Sequence, residues 1–168
     1  MMKKILYVLG NLVSFLLGVI IMLVNSQLEK RKKALQPSEK NDELLKWKEF
    51  YRIFNQWLLL KQKGNGLDAY FTCRNYERIA VYGMKELGER LIDELKDTSI
   101  LVVYGIDKNA KNLKKNFPMY TMQDNLPEVD IIVVTAVHYY AEIKEELNSI
   151  CSYPVVSLTE VVETLRIK

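Results

Sequence analysis

A turn that could bind a phosphate group lies near the middle of the chain. Its six residues are Gly83-Met84-Lys85-Glu86-Leu87-Gly88. They keep the first and third glycines of the Gly-x-Gly-x-x-Gly pattern and replace the second with lysine. In that pattern the first glycine permits a tight turn, the second lets a pyrophosphate approach bare backbone, and the third allows close packing of helix and strand. The sequence therefore predicts an anion-binding turn with one altered position.

Lys85 leaves two alternatives open. Its side chain either occupies the phosphate position and abolishes binding, or places its ammonium group beside a helix N-terminus and reinforces the attraction for an anion. Under the first alternative the domain is a scaffold of the same shape without a bound nucleotide.

Two further residues are candidates for the same site. Asp107 follows the next β-rich run, nineteen residues after Gly88, where a ribose-binding acid is expected. His138, the only histidine, follows a later apolar run and either contacts a ligand or is an ordinary surface residue. The candidate cofactor-binding residues are thus Gly83, Met84, Lys85, Gly88, Asp107 and His138. The sequence contains no complete set of catalytic residues and no metal-ligand spacing. Whether the protein is an enzyme is therefore left open, and a non-catalytic role is favoured.

The elements that must position these residues follow from hydrophobic periodicity. Strands are predicted at 79–82, 100–104, 119–120, 130–137 and 154–156 because these runs are β-branched, aromatic or continuously apolar. Helices are predicted directly after the glycine turn, over residues 140–150, and after the capping box Ser157-Leu-Thr-Glu160. Strands that alternate with helices predict an α/β fold, a small Rossmann-like parallel sheet of about five strands in order 3-2-1-4-5. We assign residues 64–168 to this domain.

A helix with an unusually wide apolar face is predicted over residues 41–63, with Gly64 as its C-terminal stop. This face either packs on the α/β domain or binds a partner, since its exposure would create a large apolar patch. It consists of Leu44, Trp47, Phe50, Tyr51, Phe54, Trp57, Leu58 and Leu60.

The N-terminal run Ile5–Val24 is twenty residues of almost wholly apolar sequence, about 30 Å as a helix, which matches a bilayer core. Residues 1–26 are therefore predicted to be a transmembrane signal-anchor, followed by a basic juxtamembrane linker over 27–40. Lys30–Lys33 favours a single-pass protein of the cell membrane with its C-terminal domain in the cytoplasm. Gly10, Ser14 and Gly18 form a small-residue stripe that could pair two such helices.

Charge is distributed unevenly along the 168 residues. The formal net charge is +3, but six basic side chains and one acidic side chain give +5 in the first 36 residues and leave −2 for the rest. The folded domain therefore lacks the positive face that nucleic-acid binding requires, and no nucleic-acid partner is expected.

Three segments carry a resemblance to a known group of proteins: Tyr82-Gly-Met-Lys-Glu-Leu-Gly88, Ile106-Asp-Lys-Asn-Ala110 and Val129-Asp-Ile-Ile-Val-Val-Thr135. Over residues 55–162 the chain resembles Rossmann-like NAD(P)- or nucleotide-sugar-binding domains associated with bacterial capsule and cell-surface polysaccharide biosynthesis. The resemblance implies that Gly83 and Gly88 are phosphate-loop glycines, that Asp107 is the ribose acid, and that NAD(P) or a nucleotide-sugar is the ligand.

That group also implies partners and a role. Its modules accompany glycosyltransferases, sugar epimerases or sugar acyltransferases, so a glycosyltransferase or another polysaccharide-synthesis protein is an expected partner. The expected function is that of a membrane-anchored nucleotide- or nucleotide-sugar-binding module, an accessory or regulatory component of that synthesis. The alternative is a ligand-free scaffold for protein–protein interaction at the membrane. Homo-oligomers through the transmembrane or the amphipathic helix are a further expectation.

The predicted orientation can be tested with reporters fused after Lys168. A reporter that is active only in the cytoplasm should be active there, because Lys30–Lys33 lies on the C-terminal side of the apolar run. A reporter that is active only outside the cytoplasm is the control and should be silent. The opposite result would place the domain outside the cell and remove the case for a cytosolic ligand.

Overall fold

The computed structural model describes residues 17–29 and 39–166. Residues 17–29 are helical and are called α1. Of the helices in these two ranges, none combines the length and the apolar character needed to cross a membrane. Residues 5–16 of the predicted transmembrane span lie outside the described residues, as do residues 30–38 of the predicted linker, so the transmembrane helix stays a prediction.

The chain divides into two compact units, Met1–Leu45 and Lys46–Lys168. Helix α2 (Glu39–Gln62) continues across this boundary, and it confirms the predicted helix to within two residues. As predicted, Gly64 is the C-terminal stop just after the helix, and its φ is +78°. The N–H groups of Gly64 and Asn65 donate to the carbonyl oxygens of Lys61 and Leu60, both at 3.0 Å, which satisfies the last turn of the helix.

The second unit is a five-stranded parallel sheet in the predicted order, β3-β2-β1-β4-β5. β2 and β3 lie on one side of β1, and β4 and β5 lie on the other. The order in which strands are added to the sheet therefore reverses between β1 and β4. The elements after α2 are α3 (Asp68–Thr72), β1 (Arg78–Tyr82), α4 (Glu86–Leu95), β2 (Leu101–Ile106), β3 (Met119–Tyr120), β4 (Ile131–Val134), α5 (Tyr140–Ile150), β5 (Val155–Ser157) and α6 (Leu158–Arg166).

Side chains of the two central strands alternate between two cores. Ile79 and Val81 of β1 enter one core with residues of α2, α3, α4 and α6. Ala80 and Tyr82 enter the other, where Ile143 and Leu147 of α5 cover them. Both faces of β1 and β4 are therefore buried, as expected for central parallel strands.

Four of the five predicted strands have limits that are wrong by one to three residues, and β1 begins one residue early, at Arg78. β2 continues to Ile106 because β3 pairs with its last residues and holds them extended. β4 ends at Val134 instead of 137 because residues 137–139 turn into a 3-10 helix. β5 is shifted by one residue, to Val155–Ser157. The capping box is confirmed in part, since the Glu160 N–H donates to Ser157 Oγ at 3.0 Å.

A buried carboxylate connects the helices on the first face of the sheet. The Glu94 side chain of α4 is 7% exposed, and it accepts hydrogen bonds from the Trp57 indole N–H at 2.5 Å and the Leu67 N–H at 2.7 Å. Lys61 Nζ lies 3.4 Å from the same carboxylate. One acid thus joins α2, the start of α3 and α4, and its burial is compensated by these donors.

Replacement of Glu94 tests this connection. Glu94→Ala should lower the free energy of unfolding by about 3 kcal/mol, because two donors in a partly buried position lose their acceptor. Chemical denaturation of the full chain in a mild detergent measures the change.

The adjacent acid is the matched control. Asp93 is 62% exposed and pairs with Arg90 on the same helix, so Asp93→Ala should change the stability by less than about 0.5 kcal/mol. Equal effects of the two substitutions would mean that Glu94 does not join the helices.

Candidate functional site

The turn after β1 has the geometry that its first glycine predicts. Gly83 has φ +95°, a backbone conformation that side chains other than glycine rarely adopt. A Cβ atom at this position would lie 2.8 Å from Thr135 Oγ1 and 3.3 Å from the Ala136 nitrogen. The Gly83 N–H meanwhile donates to the Ile106 carbonyl at 2.9 Å. Both the backbone angle and the lack of space therefore require glycine.

Gly88 brings helix α4 against this turn. A Cβ atom on Gly88 would lie 2.0 Å from the Gly83 carbonyl oxygen, which is far inside the van der Waals contact distance. This is the close approach of helix and strand that the third glycine of the motif serves. As a result, the N-terminus of α4 lies at the carboxyl edge of the sheet, directly beside the turn.

Thr135 holds the turn from the neighbouring strand, and sequence reasoning missed it. The residue is 6% exposed, and its Oγ1 lies 3.0 Å from the Tyr82 carbonyl oxygen and 2.8 Å from that of Gly83. Its single hydroxyl hydrogen is shared between these two acceptors. The available signal was a threonine directly after four buried apolar residues, Ile131–Val134.

Asp107 lies at the same turn, on the opposite side from Thr135. Its Oδ2 accepts a hydrogen bond from the Met84 N–H at 3.0 Å, and its Oδ1 accepts one from the Asn109 N–H at 2.9 Å. The two bonds fix the orientation of the carboxylate. Since a carboxylate has about four acceptor positions, roughly two remain for a ligand.

The two residues between Gly83 and α4 have different environments. The Met84 side chain is 4% exposed, and its sulfur lies 3.0 Å from where a Cβ on Gly105 would stand. It therefore fills space over β2 and only its backbone N–H faces Asp107. Lys85 is exposed and directly precedes the first residue of α4, so both alternatives for its ammonium group stay open.

His138 contacts α2. Its Nδ1 lies 3.5 Å from Glu49 Oε2, and its ring meets the Tyr139 ring edge-on at 5.2 Å. The Tyr139 hydroxyl accepts a hydrogen bond from Lys46 Nζ at 2.7 Å. The structure thus brings Gly83, Gly88, Asp107 and Thr135 together and engages His138 with a neighbouring helix.

Charges near this edge are mixed. Burial raises the pKa of the Tyr82 hydroxyl, and the negative charges of Glu146 and Asp107 raise it further, so the phenol is neutral at physiological pH. A hydrogen bond from Lys115 at 2.6 Å lowers the pKa of the Glu89 carboxyl in the first turn of α4. In residues 17–29 and 39–166, no three His, Cys, Asp or Glu side chains are grouped to hold a metal ion.

One family model matches part of the chain. The family model described as "C2185-like, N-terminal" matches residues 75–155, just under half of the chain, and these residues include the glycine turn, Asp107, Thr135 and His138. No curated protein and no solved structure matches the chain.

The contact between α4 and the turn can be tested with Gly88→Ala. Helix propensity alone would make this change stabilising by about 1 kcal/mol. Because the new Cβ would meet the Gly83 carbonyl at 2.0 Å, we expect instead a loss of about 1–3 kcal/mol, as in other overpacked sites. Denaturant unfolding measures the change. Glu86→Ala, at an exposed position in the same helix, is the control, and a stabilised Gly88→Ala variant would contradict the close contact.

Proposed function

We propose that the sheet domain binds a nucleotide or a nucleotide-sugar at its carboxyl edge, between the ends of β1, β2 and β4. The observation that carries the proposal is the close packing of Gly88 on Gly83, which sets a helix N-terminus beside a glycine turn. This arrangement suits an anionic phosphate, since the first N–H groups of a helix point towards the ligand. The position also lies where the strand order reverses, and open α/β sheets bind ligands at such points.

Asp107 supports a ribose in this ligand. Its carboxylate is held in place by the N–H groups of Met84 and Asn109, and its remaining acceptor positions suit the two hydroxyls of a ribose. A preorganised acceptor loses less entropy on binding than a freely rotating one.

Lys85 supports a phosphate next to that ribose. It directly precedes α4 and is exposed. Its ammonium group is therefore hydrated in the free protein and can reach an anion at the helix N-terminus. The helix dipole and the lysine would then attract the same charge.

The proposed setting is the cytoplasmic side of the cell membrane, where the module would serve cell-surface polysaccharide synthesis as an accessory or regulatory subunit. The apolar run Ile5–Val24 and the basic cluster Lys30–Lys33 support the location. The resemblance over residues 55–162 supports the pathway, with a glycosyltransferase or another enzyme of that synthesis as partner. Binding is favoured over catalysis, because His138 is engaged with Glu49 and, within residues 17–29 and 39–166, no set of acid–base groups converges on the turn.

A ligand-free scaffold is the second candidate, and one observation favours it. The Met84 N–H already donates to Asp107, and the Met84 side chain is buried. The turn therefore satisfies one of its donors within the protein, which a scaffold needs and a ligand site does not.

Equilibrium binding to the full chain in a mild detergent tests the proposal, with NAD, NADP and a set of nucleotide-sugars as ligands. At least one ligand should bind, and Asp107→Ala should weaken it about 10- to 100-fold because hydrogen bonds to a charged acceptor are lost. Asp97→Ala, which removes an exposed acid after α4, is the control and should leave the affinity unchanged.

Lys85→Gly separates the two candidates. Affinity should fall if the ammonium group binds phosphate. It should rise, or binding should first become detectable, if the side chain blocks the phosphate position. Absence of binding in both the native chain and Lys85→Gly would remove the nucleotide proposal and favour the scaffold.

A further inference from the structure

Helix α2 exposes a row of large apolar side chains on the face adjacent to its buried one. Ile53, Trp57 and Leu60 are buried in the core. Seven others are exposed, and we call four of them, which follow one another along one face and are 42–71% exposed, the aromatic stripe: Trp47, Tyr51, Phe54 and Leu58. Single exposed apolar residues are common, but a contiguous row of this size indicates an interaction surface.

The stripe is ordered before any partner arrives. Phe50, half-buried against the core, meets the Trp47 ring edge-on at 5.9 Å and stacks on the Phe54 ring at 6.0 Å. The helix itself is held by the buried residues on its other face, so it need not fold on binding. Both features reduce the entropy lost on association.

The spacing of the stripe fits another helix. Its residues are separated by four, three and four positions, so alternate members are seven residues apart, which is the heptad repeat that keeps an apolar seam facing a partner helix. Their order is also symmetric. A two-fold axis between Arg52 and Ile53 places Trp47 against Leu58 and Tyr51 against Phe54 of a second copy.

This antiparallel arrangement pairs a large side chain with a smaller one and avoids like charges on the flank of the seam. It sets the largest side chain, Trp47, against the smaller Leu58. On the flank of the seam, exposed Lys48 comes to face exposed Asn55, so like charges do not oppose each other. An isologous contact of this kind closes as a dimer.

The available area sets the expected strength. Four large side chains that are about half exposed present on the order of 500 Å² per copy. Flanking residues add to this, and the total approaches the lower end of the range for specific interfaces, about 600 Å² per partner. The contact should therefore be a weak one with a dissociation constant in the micromolar range.

We infer that the aromatic stripe of α2 packs antiparallel on the same stripe of a second copy and forms a two-fold dimer. This interface does not depend on the proposed ligand site, so each can fail without the other.

Two adjacent leucines provide a matched test. Leu58 and Leu59 are 49% and 47% exposed, but only Leu58 belongs to the stripe. Sedimentation velocity of the full chain in a mild detergent, over a range of concentrations, gives the dimer dissociation constant. Leu58→Lys should raise this constant at least tenfold, whereas Leu59→Lys should change it by less than about threefold. Tyr51→Lys is a second stripe variant, and the unfolding midpoint of each variant shows that it folds.

Disulfide cross-linking tests the antiparallel register. In a background of Cys73→Ser and Cys151→Ser, a mixture of chains carrying Tyr51→Cys and chains carrying Phe54→Cys should form the 51–54 cross-link faster than either chain cross-links with itself. Faster 51–51 and 54–54 links would overturn the antiparallel dimer.

Two other results would also overturn it. The first is a dimer that neither lysine substitution in the stripe weakens. The second is a chain that stays monomeric over the whole concentration range. Quenching of its Trp47 fluorescence by brominated lipids in vesicles, with Trp47→Phe as the control for buried Trp57, would then show that the stripe faces a bilayer.

Discussion

The contact between Gly88 and the Gly83 carbonyl is the constraint on which the carboxyl edge of the sheet depends. Because the helix can approach the strand end only where no side chain intervenes, the N-terminus of α4 is set beside the turn and the apolar face of α4 is brought onto the sheet. Leu87, Leu91 and Leu95 are buried as a result. The hydroxyl of Thr135 then bonds the same carbonyl from β4, so three elements share one backbone position.

Helix α2 contacts both the loop at this edge and helix α4 on one face of the sheet. At its C-terminal half, Trp57 bonds the buried carboxylate of Glu94. At its N-terminal half, Lys46 and Glu49 contact Tyr139 and His138 in the loop that follows β4. The same helix carries the aromatic stripe on another face. Helix α2 therefore contacts the loop beside the proposed ligand site and also carries the proposed dimer interface.

Much of the architecture follows from local patterns in the chain. The alternation of β-rich runs with a helical repeat predicted five strands, their parallel order and the helix over residues 41–63, and these are confirmed. The strand limits were less well predicted. β2 is longer and β4 shorter than their apolar runs because pairing with β3 extends one, while a 3-10 turn over 137–139 ends the other. Neither cause is local to the strand concerned.

The sequence by itself determined which positions must be glycine at the turn and that an acid follows β2, since backbone angle and strand period are local properties. Only the tertiary structure decided what these residues touch. That Asp107 accepts the Met84 N–H, that Thr135 bonds across from β4, that His138 meets Glu49, and that Glu94 joins three helices all depend on the packing of segments distant in sequence. It also decided which part of the wide apolar face of α2 is buried, because a helical repeat shows that residues share a face but not whether another element covers it.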